Sequence, residues 1–359
     1  MKPIRRKTTS ISTATSARTS FPLLTDLRQM IQSAREHVAR TIDTGLIFLY
    51  WQVGRRIHRE ILKETRASYG REIVQTLSGQ LVIEFGQGFG RSNLFSMVRF
   101  AELFPDPKIV QTLSGQLGWS HFTRIFRVDD PLARDFYAEM CRVERWSVRT
   151  LREKIGSQLF LRTALSKKPI KLARQELAAL RDEDRLSPDL VFRDPYVLDF
   201  LCLKNTYAEK DLEAAILREI ESFILELGTG FSFIARQQRM TVGGVDHYLD
   251  LLFFHRRLRR LVAINLKLDD FTPADNRQME LYLAWLKEHE TIRGEGAPLG
   301  LILCAGKNAE TIRLLDLNHG DIRVASYFAK ELPQKQLERK LHEAARQARA
   351  RLRPTKKSR

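Results

Sequence analysis

Two charged residues stand inside apolar runs of the sequence and are the first candidates for chemistry. Asp250 lies within the run 247–254 and Lys267 within the run 261–268, and the other residues of both runs suit buried β-strands. An ionised side chain in a buried strand is costly unless it is paired or binds a metal ion. The two residues therefore predict either a metal-dependent site or a structural ion pair.

A short basic turn joins the two runs, which predicts an antiparallel hairpin. Strand alternation puts Asn265 and Lys267 on the same face, where they can meet Asp250 across the ladder. We expect the turn to lie directly beside the site, so its arginines are interpreted as phosphate contacts, with solvated turn charges as the alternative. These residues are Arg256, Arg257, Arg259 and Arg260.

The elements that position these residues belong to a basic, globular chain. With 359 residues and 43% hydrophobic residues, it is long enough for two domains, each with its own core. The chain has 60 Lys and Arg against 43 Asp and Glu, a formal charge of +17, which is typical of a protein that binds a polyanion. Nucleic acid is the expected partner, and basic tails that only solvate the protein are the alternative.

Cysteines and hydropathy indicate where the protein works. Cys141, Cys202 and Cys304 lie far apart without a C-x-x-C pair, which predicts neither a zinc site nor a disulfide framework. No stretch approaches the roughly 20 apolar residues that a membrane span requires. The N-terminus also lacks the apolar segment of a secretion signal. The sequence therefore predicts a cytoplasmic protein that does not enter a membrane.

The first half of the chain has helical periodicity. Residues 1–20 are basic with almost nothing to bury and predict a disordered arm, whereas residues 21–165 predict a helical domain. The nonapeptide IVQTLSGQL at 73–81 returns unchanged at 109–117. Such a repeat can indicate a duplicated helical unit, although two copies are too few for a solenoid.

A glycine-rich turn at 85–93 separates two helical patterns and ends in a predicted helix N-cap. Helix, turn and helix have the shape of a DNA-binding helix-turn-helix, in which Arg91 and Asn93 would contact DNA. An ordinary helical hairpin is the alternative. A phosphate-binding loop is not predicted, because no strand precedes the glycines and no Gly-Lys-Ser/Thr follows them.

The second half predicts an α/β domain. Residues 166–189 are polar and charged and predict a linker that contains one helix. Residues 190–332 predict the order α-β-β-β-α-β-β, from a helix at 209–227 to a strand at 322–327. Residues 333–359 predict a basic tail that begins as a helix and favours phosphate contact. The predicted fold is an α-helical N-terminal domain followed by an α/β domain, in which helices flank a mixed sheet.

This element order, with the strand sequences YLDLLF at 248–253 and INLK at 264–267, resembles the PD-(D/E)xK nuclease superfamily of restriction-endonuclease-like fold. From about residue 27 to 352 the chain is also similar to the bacterial YhcG family, which joins a helical N-terminal domain of unknown function to a C-terminal PD-(D/E)xK domain. The stretches that carry this closer resemblance are QTLSGQL at 111–117, CRVERWSVR at 141–149, LSPD at 186–189 and LILCAGK at 301–307.

The resemblance implies hydrolysis of DNA phosphodiester bonds with Mg²⁺ or Mn²⁺. It assigns metal binding to Asp250, and to Lys267 the orientation of the attacking water and the stabilisation of charge on phosphorus. A Gln-x-x-x-Tyr pattern on the next helix, seen in parts of the superfamily, adds Gln278 and Tyr282 to the site. Ordinary helix surface is the alternative for these two residues.

The resemblance defines the remaining metal ligands less well. An acidic residue on the preceding helix often completes such a site, and Glu219 is our prediction, with Glu226 as the rival. The resemblance places a glutamate at 265, where this chain has Asn265, and an amide brings no charge to a cation that is held mainly by carboxylates. Asp269 shares the strand face and replaces the lost carboxylate only if a bulge or turn brings it inward.

Two functional hypotheses follow. The first is a metal-dependent endonuclease with an impaired active site, whose helical domain positions double-stranded DNA. The second is a catalytically silent protein of the same fold that binds DNA or a protein partner through the same surfaces. A homo-oligomer is compatible with both hypotheses.

Overall fold

The computed structural model describes residues 43–59, 67–201, 209–315, 317, 320–328 and 341. The basic arm predicted at residues 1–20 lies outside these ranges. So does the basic tail predicted at 333–359, except for Leu341, which is a buried helical residue. Contacts between Cα atoms divide the chain into two units, Met1–Trp119 and Ser120–Arg359.

The described part of the first unit is helical, as the apolar periodicity predicts. Its helices are α1 (residues 43–59), α2 (Ala67–Phe85), α3 (Arg91–Leu103) and α4 (Pro107–Ser114), with a 3₁₀ turn at Gln87–Phe89. Tyr50, Val74 and Leu94 belong to one buried cluster that joins α1, α2 and α3. A Cβ atom on Gly54 would lie 1.8 Å from the carbonyl oxygen of Met97, so glycine is required where α1 crosses α3.

The two copies of the repeated nonapeptide differ in structure at their C-terminal ends. Its first copy, residues 73–81, lies wholly inside α2, whereas the helix of the second copy ends at Ser114 and is capped by Gly115. The second copy lies close to the start of a separate helix, α4. Asp106 is the N-cap of this helix, and its side chain accepts a 2.8 Å hydrogen bond from Lys108 N. The first six residues are helical in both copies, and the surrounding sequence decides whether the last three continue the helix.

The second unit begins with further helices, and its first one starts at the last residue of the first unit. They are α5 (Trp119–Ile125), α6 (Pro131–Glu144), α7 (Val148–Gly156), α8 (Leu159–Arg162), α9 (Ile170–Glu183) and α10 (Pro188–Val191). The predicted linker contains α9, which packs against α6 and buries Ala173, Leu177 and Leu180. The predicted helical domain ends at residue 165, whereas the division by contacts falls after residue 119. The helices that follow residue 119 thus belong to the same unit as the sheet.

A six-stranded mixed sheet follows, in the order β1-β6-β5-β4-β3-β2. The pairs β2–β3 and β3–β4 are antiparallel, whereas the pairs β4–β5, β5–β6 and β6–β1 are parallel. The elements are β1 (Tyr196–Val197), α11 (Glu209–Arg218), α12 (Ile220–Leu227), β2 (Phe231–Val242), β3 (Val245–His255), β4 (Arg260–Leu266), α13 (Pro273–His289), β5 (Leu299–Cys304), α14 (Ala309–Leu314) and β6 (Ile322–Phe328).

Helices cover both faces of this sheet. One buried cluster joins α11 and α12 to the sheet and includes Leu212, Phe223 and Ile264. A second cluster joins α13 to the opposite face and includes Met279 and Ala263. Alternate residues of β4 enter alternate clusters, as a strand buried on both faces requires. The predicted fold class, a mixed sheet flanked by helices, is confirmed.

The hairpin of β2 and β3 ends where the sequence predicts. Gly243 and Gly244 form its two-residue turn with φ angles of +57° and +80°, which glycine adopts without steric cost. The helix predicted at 209–227 is instead two helices, α11 and α12, interrupted at Glu219. No glycine or proline marks this interruption, so the sequence pattern does not reveal it.

Ion pairs attach the helices that precede β1 to the sheet and to α12. The guanidinium of Arg162 pairs with Glu226, and its Nε donates to the carbonyl oxygen of Pro195 at 2.9 Å. The ammonium groups of Lys167 and Lys307 both pair with Asp194. These opposite charges hold the pKa of Asp194 well below its usual range, against the effect of burial.

Candidate functional site

Asp250 lies on β3 at the point where pairing with β4 stops, since the ladder between these strands runs from Leu251 with Ile264 to the hairpin turn. Its Oδ2 accepts a 2.8 Å hydrogen bond from Leu266 N, and its Oδ1 accepts one of 3.2 Å from Gln237 Nε2. Burial raises the pKa of the Asp250 carboxyl, and these two hydrogen bonds lower it. The carboxylate is therefore held in place although its charge is poorly solvated.

A second carboxylate, that of Glu213 on α11, faces Asp250. Gln237 Nε2 also donates to Glu213 Oε2 at 2.8 Å, so the two acceptor oxygens lie within about 6 Å of each other. The negative charge of Glu213 also raises the pKa of Asp250. Glu213 is thus the helix carboxylate that the structure places beside Asp250, and the sequence pattern does not single it out.

The two glutamates predicted for this role lie elsewhere. Glu219 occupies the break between α11 and α12. Glu226 pairs with Arg162 and Arg193 and accepts a 2.8 Å hydrogen bond from Val197 N, so its carboxylate is already committed. The structure therefore brings Glu213, and not the predicted Glu219, next to Asp250. Glu213 also flanks the buried stripe, because it directly follows Leu212, and the sequence signal did not distinguish the two.

Asn265 occupies the β4 position next to Leu266, which binds Asp250. Its side chain is only 4% exposed, and its Nδ2 atom is buried without a hydrogen-bond partner. Buried polar atoms are nearly always paired, so this nitrogen is an unusual donor, for which the protein supplies no acceptor. A glutamate at position 265 would place a negative charge in the same buried surroundings.

Lys267 follows the end of β4, and its side chain is about one-quarter exposed. Its Nζ lies 3.6 Å from Oδ1 of Asp275, in the first turn of α13, and Asp275 also accepts hydrogen bonds from Thr272. The charge of Lys267 lowers the pKa of Asp250, less than burial raises it. The structure therefore brings Lys267 towards Asp250 as predicted, while the ion pair that it makes is with Asp275.

Gln278 and Tyr282 lie together on α13 beneath β3. Gln278 Nε2 donates to the Tyr282 hydroxyl at 2.6 Å, and that hydroxyl donates to Tyr248 O at 3.1 Å. Burial raises the pKa of Tyr282, which is 1% exposed. Because both polar groups are used inside the protein, the pair supports the strand that carries Asp250.

Asp269 is exposed in the bend after β4, and its main-chain carbonyl accepts a hydrogen bond from Ala305 N at 3.2 Å. Within the described ranges, no hydrogen bond or ion pair connects the Asp269 carboxylate to Asp250 or Glu213. β4 ends at Leu266, whose N–H donates to Asp250, and the bend that follows does not turn Asp269 inward, as the replacement would require. The structure thus does not bring Asp269 into the site.

The arginine turn does not lie beside Asp250, contrary to the prediction. Five residues of extended strand separate Asp250 from His255, which is about 17 Å. The turn is at the opposite end of the hairpin because β3 and β4 are antiparallel. Two of its arginines are engaged: Arg257 donates to Val143 O at 2.8 Å, and Arg260 pairs with Asp321 at 3.1 Å. Arg256 and Arg259 are exposed, as is Arg257.

In the first unit, α3 begins at Arg91 with Gly90 as its N-cap, and no side chain caps it. The N-cap predicted at the end of the turn 85–93 is therefore wrong, because α3 already begins at Arg91. Arg91 is exposed, with its guanidinium 5.8 Å from the ring of Phe95. Asn93 donates to Gly88 O at 2.7 Å and accepts from Trp119 Nε1 at 2.8 Å, so it stabilises the turn between the helices.

A divalent cation is the group that this fold implies. In the described part of the chain, no cluster of three or more His, Cys, Asp or Glu side chains could hold a metal ion. Asp250 and Glu213 supply two carboxylates, and Asn265 adds no third one, since its unpaired atom is the amide nitrogen Nδ2, which can only donate. This donor set fits a cation that is held weakly, since Mg²⁺ depends mainly on carboxylates.

Comparison with known proteins defines the class. Residues 26–162 match the DUF1016 N-terminal domain, and residues 189–342 match the YhcG PDDEXK nuclease domain. The second match and the sheet described above make this a protein with a PD-(D/E)xK nuclease domain. YhcG of Escherichia coli strain K12, whose designation as a nuclease is provisional, is 34% identical over 334 residues, covering 85% of this chain and 88% of that protein. The chain belongs to the YhcG family.

Solved structures give weaker matches. A repair endonuclease from Pyrococcus abyssi is 19% identical, with a TM-score of 0.25, over 34% of this chain and 49% of its own. A complex of EndoMS with dsDNA is 17% identical, with a TM-score of 0.27, over 36% and 49%. This chain thus matches about half the length of each, and such TM-scores carry no argument. Within the described ranges, no helix combines the length and apolar character needed to cross a membrane.

Proposed function

We propose that this protein is a divalent-metal-dependent endonuclease that cuts double-stranded DNA, with catalysis weakened by Asn265. The observation that carries the proposal is the pair of carboxylates, Asp250 and Glu213, joined by one amide inside a domain of the YhcG nuclease family. The formal charge of +17 supports a nucleic-acid substrate.

The carboxylates and Lys267 have separate roles. A Mg²⁺ or Mn²⁺ ion at Asp250 and Glu213 would polarise the scissile phosphate and lower the pKa of a bound water. Lys267 supplies a positive charge that stabilises the negative charge developing on the phosphate. Asp275 orients this ammonium at a distance of 3.6 Å, which leaves Lys267 partly exposed for substrate. Gln278 and Tyr282 hold β3 in position through Tyr248.

Asn265 limits this chemistry because it cannot supply the third carboxylate. We expect its replacement by glutamate to raise metal affinity about tenfold to hundredfold. The test incubates supercoiled plasmid and Mg²⁺ or Mn²⁺ with the wild-type protein and the Asn265→Glu and Lys267→Ala variants. Lys287→Ala, an exposed lysine on the last turn of α13, is the matched control.

The proposal predicts slow nicking by wild type and Lys287→Ala, faster nicking by Asn265→Glu, and none by Lys267→Ala. Nicking that persists unchanged in Lys267→Ala would identify a contaminant and remove support for the site. No nicking by any of these proteins, with DNA binding retained, would favour the second candidate function. That candidate is a catalytically silent DNA-binding protein, and the neutral side chain of Asn265 is the observation that favours it.

The exposed turn arginines Arg256 and Arg259 are proposed to contact phosphates remote from the cleaved bond. Removing either should reduce the slope of log binding constant against log salt by roughly 0.9. Arg91 at the start of α3 and the basic termini are further proposed contacts, measured in the same way. The proposed cellular location is the cytoplasm, which fractionation tests, and light scattering determines whether the protein is a homo-oligomer.

A further inference from the structure

Gln237 stands opposite the central carboxylate of the site. In the ladder between β2 and β3, Arg236 pairs with Leu251 and Gln238 with Leu249, which places Gln237 directly across from Asp250. Its single Nε2 atom donates to Glu213 at 2.8 Å and to Asp250 at 3.2 Å. One amide group thus uses its two hydrogens to join two carboxylates from different elements of the fold.

The backbone at this position is unusual. Gln237 has a φ angle of +45°, in the left-handed region that side chains other than Gly, Asn and Asp rarely adopt. Neither Gly nor Asn stands here, although either would relieve the backbone. A non-glycine residue in this conformation is strained, and contacts with the surrounding structure must offset the strain. The hydrogen bonds to Glu213 and Asp250 are the contacts of its side chain that do so.

We infer that Gln237 closes the metal-free site by holding Glu213 and Asp250 with its amide, in competition with the cation. This inference rests on the proposed function, because it concerns the same cation. An amide N–H group and a metal ion both bind carboxylate lone pairs, so the oxygens turned towards Nε2 are unavailable to a cation until Nε2 leaves. Gln237 is exposed, so its amide can turn into solvent without repacking the core.

Removal of the amide has opposite effects on the two states. Without cation, Glu213 and Asp250 lose a shared donor and repel each other, which destabilises the metal-free protein. With cation, nothing is lost, because the amide has already left. Replacing Gln237 by a residue without a donor therefore raises the affinity for the cation by about threefold to tenfold, the effect of one or two net hydrogen bonds.

The experiment is a calorimetric titration of the full chain with Mn²⁺, without DNA. It compares wild type, Gln237→Ala and Gln237→Met, with Gln238→Ala as the matched control one residue along β2. Gln237→Met keeps the length of the side chain but has no donor, so it serves if the alanine variant fails to fold. Thermal melting in EDTA reports the metal-free state of each protein.

Tighter Mn²⁺ binding by the Gln237 variants, together with a lower Tm in EDTA and no change in Gln238→Ala, supports the inference. A purely structural role would lower the Tm without raising the affinity. Equal Mn²⁺ binding by the Gln237 variants, which indicates the structural role, and weaker binding, which makes Gln237 a cation ligand, both overturn the inference and leave the proposed function intact. The absence of binding by wild type, both variants and Asn265→Glu overturns the inference and the proposed metal site together.

Discussion

The main-chain N–H of Leu266 donates a 2.8 Å hydrogen bond to the carboxylate of Asp250. This bond ties the end of β4 to the middle of β3 where the ladder between the strands has stopped. It also fixes a carboxylate whose pKa is raised by burial. In the metal-free protein, the negative charge of Asp250 is therefore unfavourable but fixed in position.

Asp250→Asn should make the metal-free protein more stable. A pKa raised in the folded state means that the ionised form opposes folding at neutral pH, and asparagine keeps an acceptor for Leu266 without the charge. We expect the free energy of unfolding at pH 8 in EDTA to rise by about 1 kcal/mol, measured by urea denaturation. Asp246→Asn is the control, because the pKa of this exposed carboxyl is lowered by Thr241 and Arg239, and its change should bring no gain. A less stable Asp250→Asn protein would contradict the account.

Glu213→Gln should weaken cation binding, whereas Glu219→Gln should not. Only Glu213 shares a hydrogen-bond donor with Asp250, and Glu219 lies at the break between α11 and α12. Loss of one of two carboxylates should lower the affinity for Mn²⁺ at least about tenfold. Calorimetric titration measures the difference, and an equal loss in both variants would show that the assignment of the helix acid is mistaken.

Glu226→Gln should destabilise the fold without altering the metal site. Its carboxylate pairs with Arg162 and Arg193, whose guanidinium groups are almost fully buried. Removing one charge of a buried network leaves the others uncompensated, at a cost of about 3–5 kcal/mol. Urea denaturation measures the loss, and Glu221→Gln, an exposed glutamate of α12, is the control. A change below about 1 kcal/mol would rule out this structural role.

Stability should fall as the pH is lowered from about 6.5 to about 4, because burial lowers the pKa of His255 to about 4. Over this interval the unfolded chain binds a proton that the folded chain does not, which favours unfolding. The neutral ring is also required because Nδ1 accepts from Leu258 N at 3.1 Å. The full effect is about 3 kcal/mol. Urea denaturation across this range should show a shallower pH dependence in His255→Gln, and an unchanged slope would exclude His255 as the cause.

The sequence predicts the elements of the sheet domain well because their signals are local. Gly243 and Gly244 mark the hairpin turn, and β3 and β4 begin and end within two residues of their apolar runs. The site is predicted less completely. Asp250 and Lys267 are recognisable as charges in apolar strands, whereas the choice between Glu213 and Glu219 depends on how α11 packs above the hairpin.

Two other errors have simple physical causes. The sequence predicts the arginine turn beside Asp250, whereas antiparallel pairing puts the turn at the far end of β3. The interruption at Glu219 has no sequence signal of its own, since leucine and isoleucine flank it with ordinary helical spacing. The role of Gln237 also arises only in three dimensions, because its partners are on β3 and α11.

The ion pairs of Arg162 and Lys167 reach Glu226 and Asp194, across the interval that separates the two matched domains. A gene fusion that transplanted only the portion from Pro188 onwards to a foreign protein would strip both carboxylates of these cationic partners. The nuclease-like half is consequently poorly suited to modular exchange. Any such transfer is expected to keep both ion pairs only if α8 and the turn that follows it move together with the sheet.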